Sequence, residues 1–425
     1  MSTSLDKDTL QSAARHLCLL CGALLLLGPL FACAPIAESV AFEPPVVSGS
    51  FEDPIDPQPS LDGQAPADFH APAARHAPAA QHAPVVQQAP AVQMTPVSQQ
   101  EPLRISFVAA GDNLIHEPIY SYHEGFDYSD LYASVRPLIE TADVAYVNQE
   151  SICGGEELGL SGRFPRFNSP SGILDALAAS GFDWVGTANN HTLDFGAEGV
   201  LSQLARIEEL GLTQSGTAAS PSAAQQPTVI LVQGVRIGLA NYTLSTNGIV
   251  GPPGSEYLVA TLTPRSSGLQ FEDGADQASF LAPPLSPAST LRLLTDLRQL
   301  EAVSDLQIVS MHWGEEGDHM PNAQQRALAR LLADNGVDAI IGSHPHVVQP
   351  LEFIATAQGA QVPVAWSLGN FLSAQQQPEE LRGALAHWTF VYDPQTGETK
   401  IEDARLVAIH TRISADDHGY FVSPG

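Results

Sequence analysis

Lysine is almost missing from this chain. Only Lys7 and Lys400 occur in 425 residues, and all Lys plus Arg number 18 against 47 Asp plus Glu, for a formal charge of −29. A surface for nucleic acid needs a basic face, so that class of partner is excluded. No Gly-rich loop followed by lysine exists, which excludes a P-loop nucleotide motor. Cysteine is scarce as well: Cys18, Cys21 and Cys33 fall near the start, and Cys153 is the fourth. No intrachain disulfide framework is expected once the first three are discarded or modified. Apolar runs long enough for several membrane spans are absent, and 44% hydrophobic with 15% charged residues describe a globule plus some low-complexity chain.

The longest apolar run, Leu17 to Phe31, follows a polar start with Lys7, Arg15 and His16 and ends at Ala32 and Cys33. It is too short for a span and reads as an export signal over residues 1–33. Its end, Leu30-Phe31-Ala32-Cys33, resembles a bacterial lipobox, in which the cysteine is diacylated and becomes the new N-terminus. That resemblance makes Cys33 the lipidation site and places the protein on a membrane of the cell envelope, facing periplasm or exterior. A signal peptide cut near Ala34 is the alternative.

Residues 34–101 show no hydrophobic periodicity, and Pro recurs at 66, 72, 78, 84, 90 and 96. Such an Ala/Pro/Gln-rich stretch cannot bury enough apolar area to order itself, so a disordered linker is expected. A six-residue beat is two turns of polyproline II and would align the prolines on one face. His70, His76 and His82 keep the same beat, which an expanded Ala/Pro/His tract explains as well as metal binding does.

From residue 102 onward, to 425, the pattern is that of one folded domain. Apolar runs predict strands at Leu103–Ala110, Val144–Val147, Phe182–Val185, Leu306–Met311, Val337–Ile341 and Val362–Trp366. Helices are expected at Ala197–Leu210, stopped by Gly211, and over 290–303 and 322–335. This alternation predicts an α/β fold, whose ligands lie beyond the carboxyl ends of its strands. Residues 246–288, rich in Pro, Gly and Ser, read as an irregular insertion. Leu385–Tyr392 and Lys400–His410 flank the turn Asp393-Pro394-Gln395-Thr396-Gly397 and predict a late hairpin.

Polar residues capable of binding metal crowd those strand ends: Asp112, His116, Glu150, Asn190, His191, Asp194, His312, His344 and His346. Any one of these histidines alone fits a hydrogen-bonded structural role. Together they form a donor set of carboxylate, amide and imidazole that suits Mn, Fe or Zn. His344 and His346 are expected to leave an extended segment on one side, with Pro345 fixing that geometry. Two divalent ions could activate water and hold the oxygens of an anionic substrate, and local cations let an acidic protein accept a polyanion. Ser343 and Cys153 lack the elbow or the dedicated histidine that nucleophilic catalysis needs. Arg163 and Arg166, in Gly162-Arg163-Phe164-Pro165-Arg166-Phe167, could grip carboxylates or phosphates or simply line a solvated loop. Trp313, Trp366 and Phe371 read as core or pocket wall.

In order, Gly111-Asp112, Asn148-Gln149-Glu150, Ala188-Asn189-Asn190-His191-Thr192-Leu193-Asp194, His312-Trp313-Gly314, Gly342-Ser343-His344-Pro345-His346-Val347-Val348-Gln349 and Ser367-Leu368-Gly369-Asn370-Phe371 resemble the signature series of the bacterial capsule-synthesis CapA family, associated with poly-γ-glutamate. The resemblance runs from about Arg104 to Leu372. It implies kinship with calcineurin-like metallophosphoesterases and a four-layer αββα sandwich. It implies two metals, with Asp112 and His346 at the first, Asn190, His312 and His344 at the second, and Glu150 between them. His191 would be the general acid and Asp194 its orienting partner. Two departures stand out. Those enzymes begin with Asp-x-His, whereas Leu114 occupies the third position here and the nearest histidine is His116. Glu150 also stands where they use Asp.

The expected function is a membrane-tethered, metal-dependent hydrolase or transferase acting on an anionic envelope polymer or a phosphorylated precursor, in concert with capsule synthesis or export proteins. A general phosphoesterase of nucleotides or phospholipid headgroups is one alternative. A non-enzymatic factor that binds polymer and hands it to export partners is another.

Overall fold

Alternation along the first strand sets the layout. In β1 (Leu103–Leu114), Ile105, Phe107 and Ala109 face one buried cluster while Val108 and Ala110 face another, because successive side chains leave a strand on opposite sides. β2 (Val144–Gln149) repeats the pattern, with Val144 and Tyr146 on the first side and Ala145 and Val147 on the second. Strands apolar on both faces must be covered on both, which accounts for the rest of the architecture. The computed structural model describes residues 101–122, 127–262, 285–414 and 419–425. The export signal, Cys33, the proline-rich linker and the middle of the 246–288 stretch lie outside the described residues.

β3 (Ser161–Arg163) and β4 (Arg166–Asn168) form a small ribbon of their own, and β5 (Trp184–Gly186) and β6 (Thr213–Ser215) continue in parallel from β2. A second sheet is built from β7 (Thr228–Val232), β8 (Val235–Thr243), β9 (Leu306–His312), β10 (Ala339–Ser343), β11 (Leu351–Ala355) and β12 (Gln361–Ala365), in the order β11-β12-β10-β9-β8-β7. The chain then returns to the first sheet with β13 (Asn370–Ser373), β14 (Arg382–Tyr392), β15 (Thr399–Ile413) and β16 (Tyr420–Pro424). The first sheet runs β16-β15-β14-β1-β2-β5-β6, and β13 pairs with the end of β1. Both sheets mix parallel and antiparallel neighbours, so the fold is α/β with two mixed sheets.

One apolar cluster joins Phe107, Tyr146 and Trp184 of the first sheet to Ile237, Ile308 and Ile341 of the second. The Tyr146 hydroxyl also hydrogen-bonds Ser310 Oγ across this contact. The opposite face of the first sheet is covered by the helix Gly172–Ala179 and by Ile207 of the helix Gly196–Leu210. The helices Pro287–Glu301 and Ala323–Ala333 cover the second sheet through Leu293, Leu297, Leu328 and Leu332. Both have sequence-encoded starts. Ser286 accepts the Ser289 N–H ahead of Pro287, and Asn322 with Gln325 forms a capping box. Among the described residues no helix is long and apolar enough to cross a membrane.

The expected strands and helices are present with ends shifted by a few residues, as local signals allow. β1 runs four residues past the expected end. The late hairpin is longer than expected and pairs Tyr392 with Thr399. The 246–288 stretch corrects an expectation: Leu258, Val259 and Leu262 are buried, so part of it packs as core rather than as a surface insertion.

Candidate metal centre

The carboxyl ends of β1, β2, β5, β9 and β10 converge, and each strand-end motif divides its labour by alternation. Asp112 is wholly buried in β1, and Asn148 Nδ2 donates to its Oδ1 at 2.8 Å. Gly111 before it is required, since a Cβ there would meet the Gly369 carbonyl oxygen at 2.0 Å, the same oxygen that accepts the Asp112 N–H at 2.9 Å. Gln149 turns the other way, accepting from Asn113 Nδ2 at 2.7 Å and donating to the Ser151 carbonyl at 2.7 Å. Glu150 therefore shares the side of Asn148 and enters the centre.

Asn189 and Thr192 brace the loop after β5, leaving their neighbours to the site. The Asn189 N–H donates to Thr192 Oγ1 at 2.9 Å, and Thr192 Oγ1 donates to the Thr187 carbonyl at 2.7 Å. Asn190 then reaches His312, with its Oδ1 2.9 Å from Nε2. On the other side of that ring, Ser343 Oγ lies 2.9 Å from Nδ1. Ser343 thus orients an imidazole. Cys153 is wholly buried, and burial pushes its thiol up, away from the reactive thiolate form.

The extended His-x-His geometry expected from the sequence is not what forms. β10 stops at Ser343, and His344 and His346 have φ of 98° and 59°, in the left-handed region. Such a backbone is strained for non-glycine residues and persists only where surroundings fix it. The His344 N–H donates to Asp112 Oδ2 at 3.1 Å, and His346 Nδ1 lies 3.0 Å from Asn370 Oδ1. Gly342, near the end of β10, lets that strand lie close to the segment after β12: a Cβ there would meet the Trp366 carbonyl oxygen at 1.9 Å.

Two of the sets of side chains that could hold a cation are buried around Glu150, Asp112–Glu150–His346 and Glu150–His312–His344, with ligand atoms within 4.8 Å in each. Glu150 belongs to both. It is wholly buried, lies 3.6 Å from His312 Nε2 and 3.7 Å from His346 Nε2, and neither of its oxygens has a hydrogen-bond partner. Burying an uncompensated carboxylate costs several kcal/mol, and the group needs a cation or a proton. Burial accordingly pushes Glu150 well above the carboxylate range and His312 well below the usual imidazole range. His344 is lowered to about 4 by burial and the neighbouring His346. Burial opposes charge on His346 too, yet Glu150 and Asp112 lift it to about 10. The orphaned oxygens of Glu150, the neutral imidazoles of His312 and His344 and the absence of a thiolate fit a divalent ion.

His191 and Asp194 form a second unit beside this one. Asp194 Oδ2 lies 2.7 Å from His191 Nδ1 and accepts the Phe167 N–H at 2.7 Å. Phe167 packs edge-on to His191 on one side and to His116 on the other, at ring separations of 4.8 and 5.1 Å. His116 stands outside both cation sets. β1 continues through Leu114 and the chain then turns into the single helical turn Glu117–Tyr120, leaving His116 Nδ1 3.0 Å from the Leu114 carbonyl. Arg163 and Arg166 sit opposite each other on the β3–β4 ribbon. Both are exposed, and Arg163 pairs with Glu117. Trp313, Trp366 and Phe371 are buried, as expected of core. Asn148, Phe167, Ser343 and Asn370 support the site in ways the sequence reading missed, although each lies inside a segment it singled out.

Among curated proteins the chain is similar to "PGA biosynthesis protein CapA" of Bacillus subtilis, 27% identical over 51% of this chain and 49% of that one. It is 26% identical to "Capsule biosynthesis protein CapA" of Bacillus anthracis, over 56% of this chain and 46% of the other. The chain thus spans about half the length of these relatives. Among solved structures it is similar to a candidate 5′-nucleotidase of Staphylococcus aureus, at 13% identity and a TM-score of 0.38, over 72% of this chain and 54% of that one. That likeness is too distant to bear on chemistry. With residues 106–375 matched by the family model for "Bacterial capsule synthesis protein PGA_cap", more than half of its length, this chain belongs to that family.

Proposed function

We propose that this chain is an envelope-tethered protein of capsule or poly-γ-glutamate biosynthesis, and that its site is a metal-dependent hydrolase or transferase centre for an anionic polymer or its phosphorylated precursor. The observation that carries this is Glu150, a buried carboxylate with two unpartnered oxygens between His312 and His346. Asp112, Glu150 and His346 would hold one divalent ion, and Glu150, Asn190, His312 and His344 a second, with Mn, Fe or Zn suiting the donors. Such ions, when bound, polarise a phosphoryl or carbonyl oxygen and make water a nucleophile near neutral pH. His191 supplies the proton for the leaving group from Nε2, while Asp194 holds Nδ1 and so fixes the ring. Arg163 and Arg166 draw in the polymer's carboxylates or phosphates.

The family and the names of the relatives support the capsule and poly-γ-glutamate context. Two sheets sharing an apolar cluster, with helices on their other faces, support the four-layer αββα sandwich of metallophosphoesterase type. On this reading residues 1–33 direct export, Cys33 carries the lipid and residues 34–101 space the domain from the membrane, where capsule synthesis or export proteins meet it.

The test is metal analysis of the purified protein, paired with turnover assays on phosphoesters and poly-γ-glutamate. Bound divalent metal and metal-dependent hydrolysis are expected. A protein that takes up no metal under any loading condition ends this reading in favour of a polymer-binding assembly factor.

A further inference from the structure

A third carboxylate reaches the same centre from outside. Glu316 follows His312 by four residues and, with His344 and His346, forms another set whose ligand atoms lie within 4.8 Å. Unlike Asp112 and Glu150 it is exposed. Its loop is nonetheless fixed to the turn that carries both histidines. The Gly317 N–H donates to the Pro345 carbonyl at 2.9 Å, and Gln349 Nε2 donates to the Asp318 carbonyl at 2.8 Å. Gly314, at φ 90°, reverses the chain directly after His312 and Trp313. Among the described residues no arginine or lysine pairs with Glu316. Beside it, His344 Nδ1 and both Glu150 oxygens are buried without partners.

The geometry points to Glu316 as a displaceable metal ligand: from beside His344 and His346, which belong one to each of the two cation sets, it closes the solvent side of the shared centre and gives up that place to the anionic substrate. This assignment rests on the metal-centre reading above. A buried carboxylate such as Glu150 cannot leave, because nothing would solvate it. An exposed one can swing into water at little cost, and it repels any phosphate or carboxylate that seeks the same position. Glu316 thereby raises affinity for the metal and lowers affinity for anions.

The experiment uses the full chain as wild type, Glu316→Gln, Glu316→Asp and, as a charge control one residue away, Glu315→Gln. Mn²⁺ and Zn²⁺ affinities are read by competition with a chromophoric chelator, and inorganic phosphate binding to the loaded proteins by calorimetry. Glu316→Gln is expected to weaken metal binding about tenfold or more and to bind phosphate several-fold more tightly. Glu316→Asp should fall between, and Glu315→Gln should match wild type. Because Glu316 is exposed, metal-free melting should be the same for all four. Equal metal affinity in Glu316→Gln and wild type, an equal loss in Glu315→Gln, or unchanged phosphate binding overturns the assignment. Metal uptake by wild type in those cases leaves the centre itself intact, whereas a wild type that binds no metal overturns both.

Discussion

The Oδ2 atom of Asp194 lies 2.7 Å from His191 Nδ1, and the side chains of both residues are almost completely buried. The same oxygen holds the Phe167 N–H, so the β3–β4 ribbon and the loop after β5 are tied at one atom. Neither residue belongs to the cation sets. Replacing His191 by Ala is therefore expected to leave metal content unchanged while turnover falls by roughly 10²–10⁴-fold. Asp194→Asn should lose turnover in the same direction and by less. Steady-state kinetics with parallel metal analysis checks both, and a His191→Ala protein with wild-type turnover would remove the proton-donor role.

Glu150→Gln should separate stability from metal binding. Without metal the variant should melt at or above wild type at neutral pH, since burial disfavours the ionised form of Glu150 and the amide carries no such cost. Metal at 100 times its Kd should stabilise wild type by about 2.7 kcal/mol and the variant far less. Thermal melts with and without Mn²⁺ or Zn²⁺ read this directly, and equal stabilisation of the two proteins would contradict the role given to Glu150.

Gly111→Ala tests the close approach of two backbones. A methyl group placed 2.0 Å from the Gly369 carbonyl oxygen forces β1 away from the segment leading to β13 and takes Asp112 with it. Destabilisation of about 1–3 kcal/mol, the usual cost of overpacking, is expected in urea unfolding, together with weaker metal binding.

Asp338 offers a pH test away from the centre. Burial pushes its carboxyl up to about 7, although it accepts the Gln307 N–H at 2.8 Å. A carboxyl raised above its unfolded value of about 3.9 contributes most below that value and loses its contribution as pH rises towards 7. Asp338→Asn should therefore match wild type near pH 4 and exceed it at pH 8. Melting curves across that range check the sign, and a variant less stable at pH 8 than at pH 4, relative to wild type, would refute it.

Strands that are buried on both faces print themselves as unbroken apolar runs, which is why β1, β2, β9 and β10 and the polar residues at their ends were legible. What the local sequence does not encode is set by tertiary contacts. The left-handed turn at His344 and His346 depends on Asp112 and Asn370, residues distant in the chain. His116 carried the right chemistry, but β1, whose pairing shifts register around Asp112, runs on to Leu114 and leaves His116 against Phe167, outside the cation sets. Glu316 had no periodicity to mark it among 47 acidic residues, and only its loop's bonds to Pro345 and Gln349 distinguish it.

Asp112, Glu150 and Asn190 hang from one sheet, and His312, His344 and His346 from the other. An ion gripped by both groups acts as a rivet through the seam between them, above the Tyr146–Ser310 bond. On the function proposed above, starvation for that ion would slacken the scaffold as well as stop turnover.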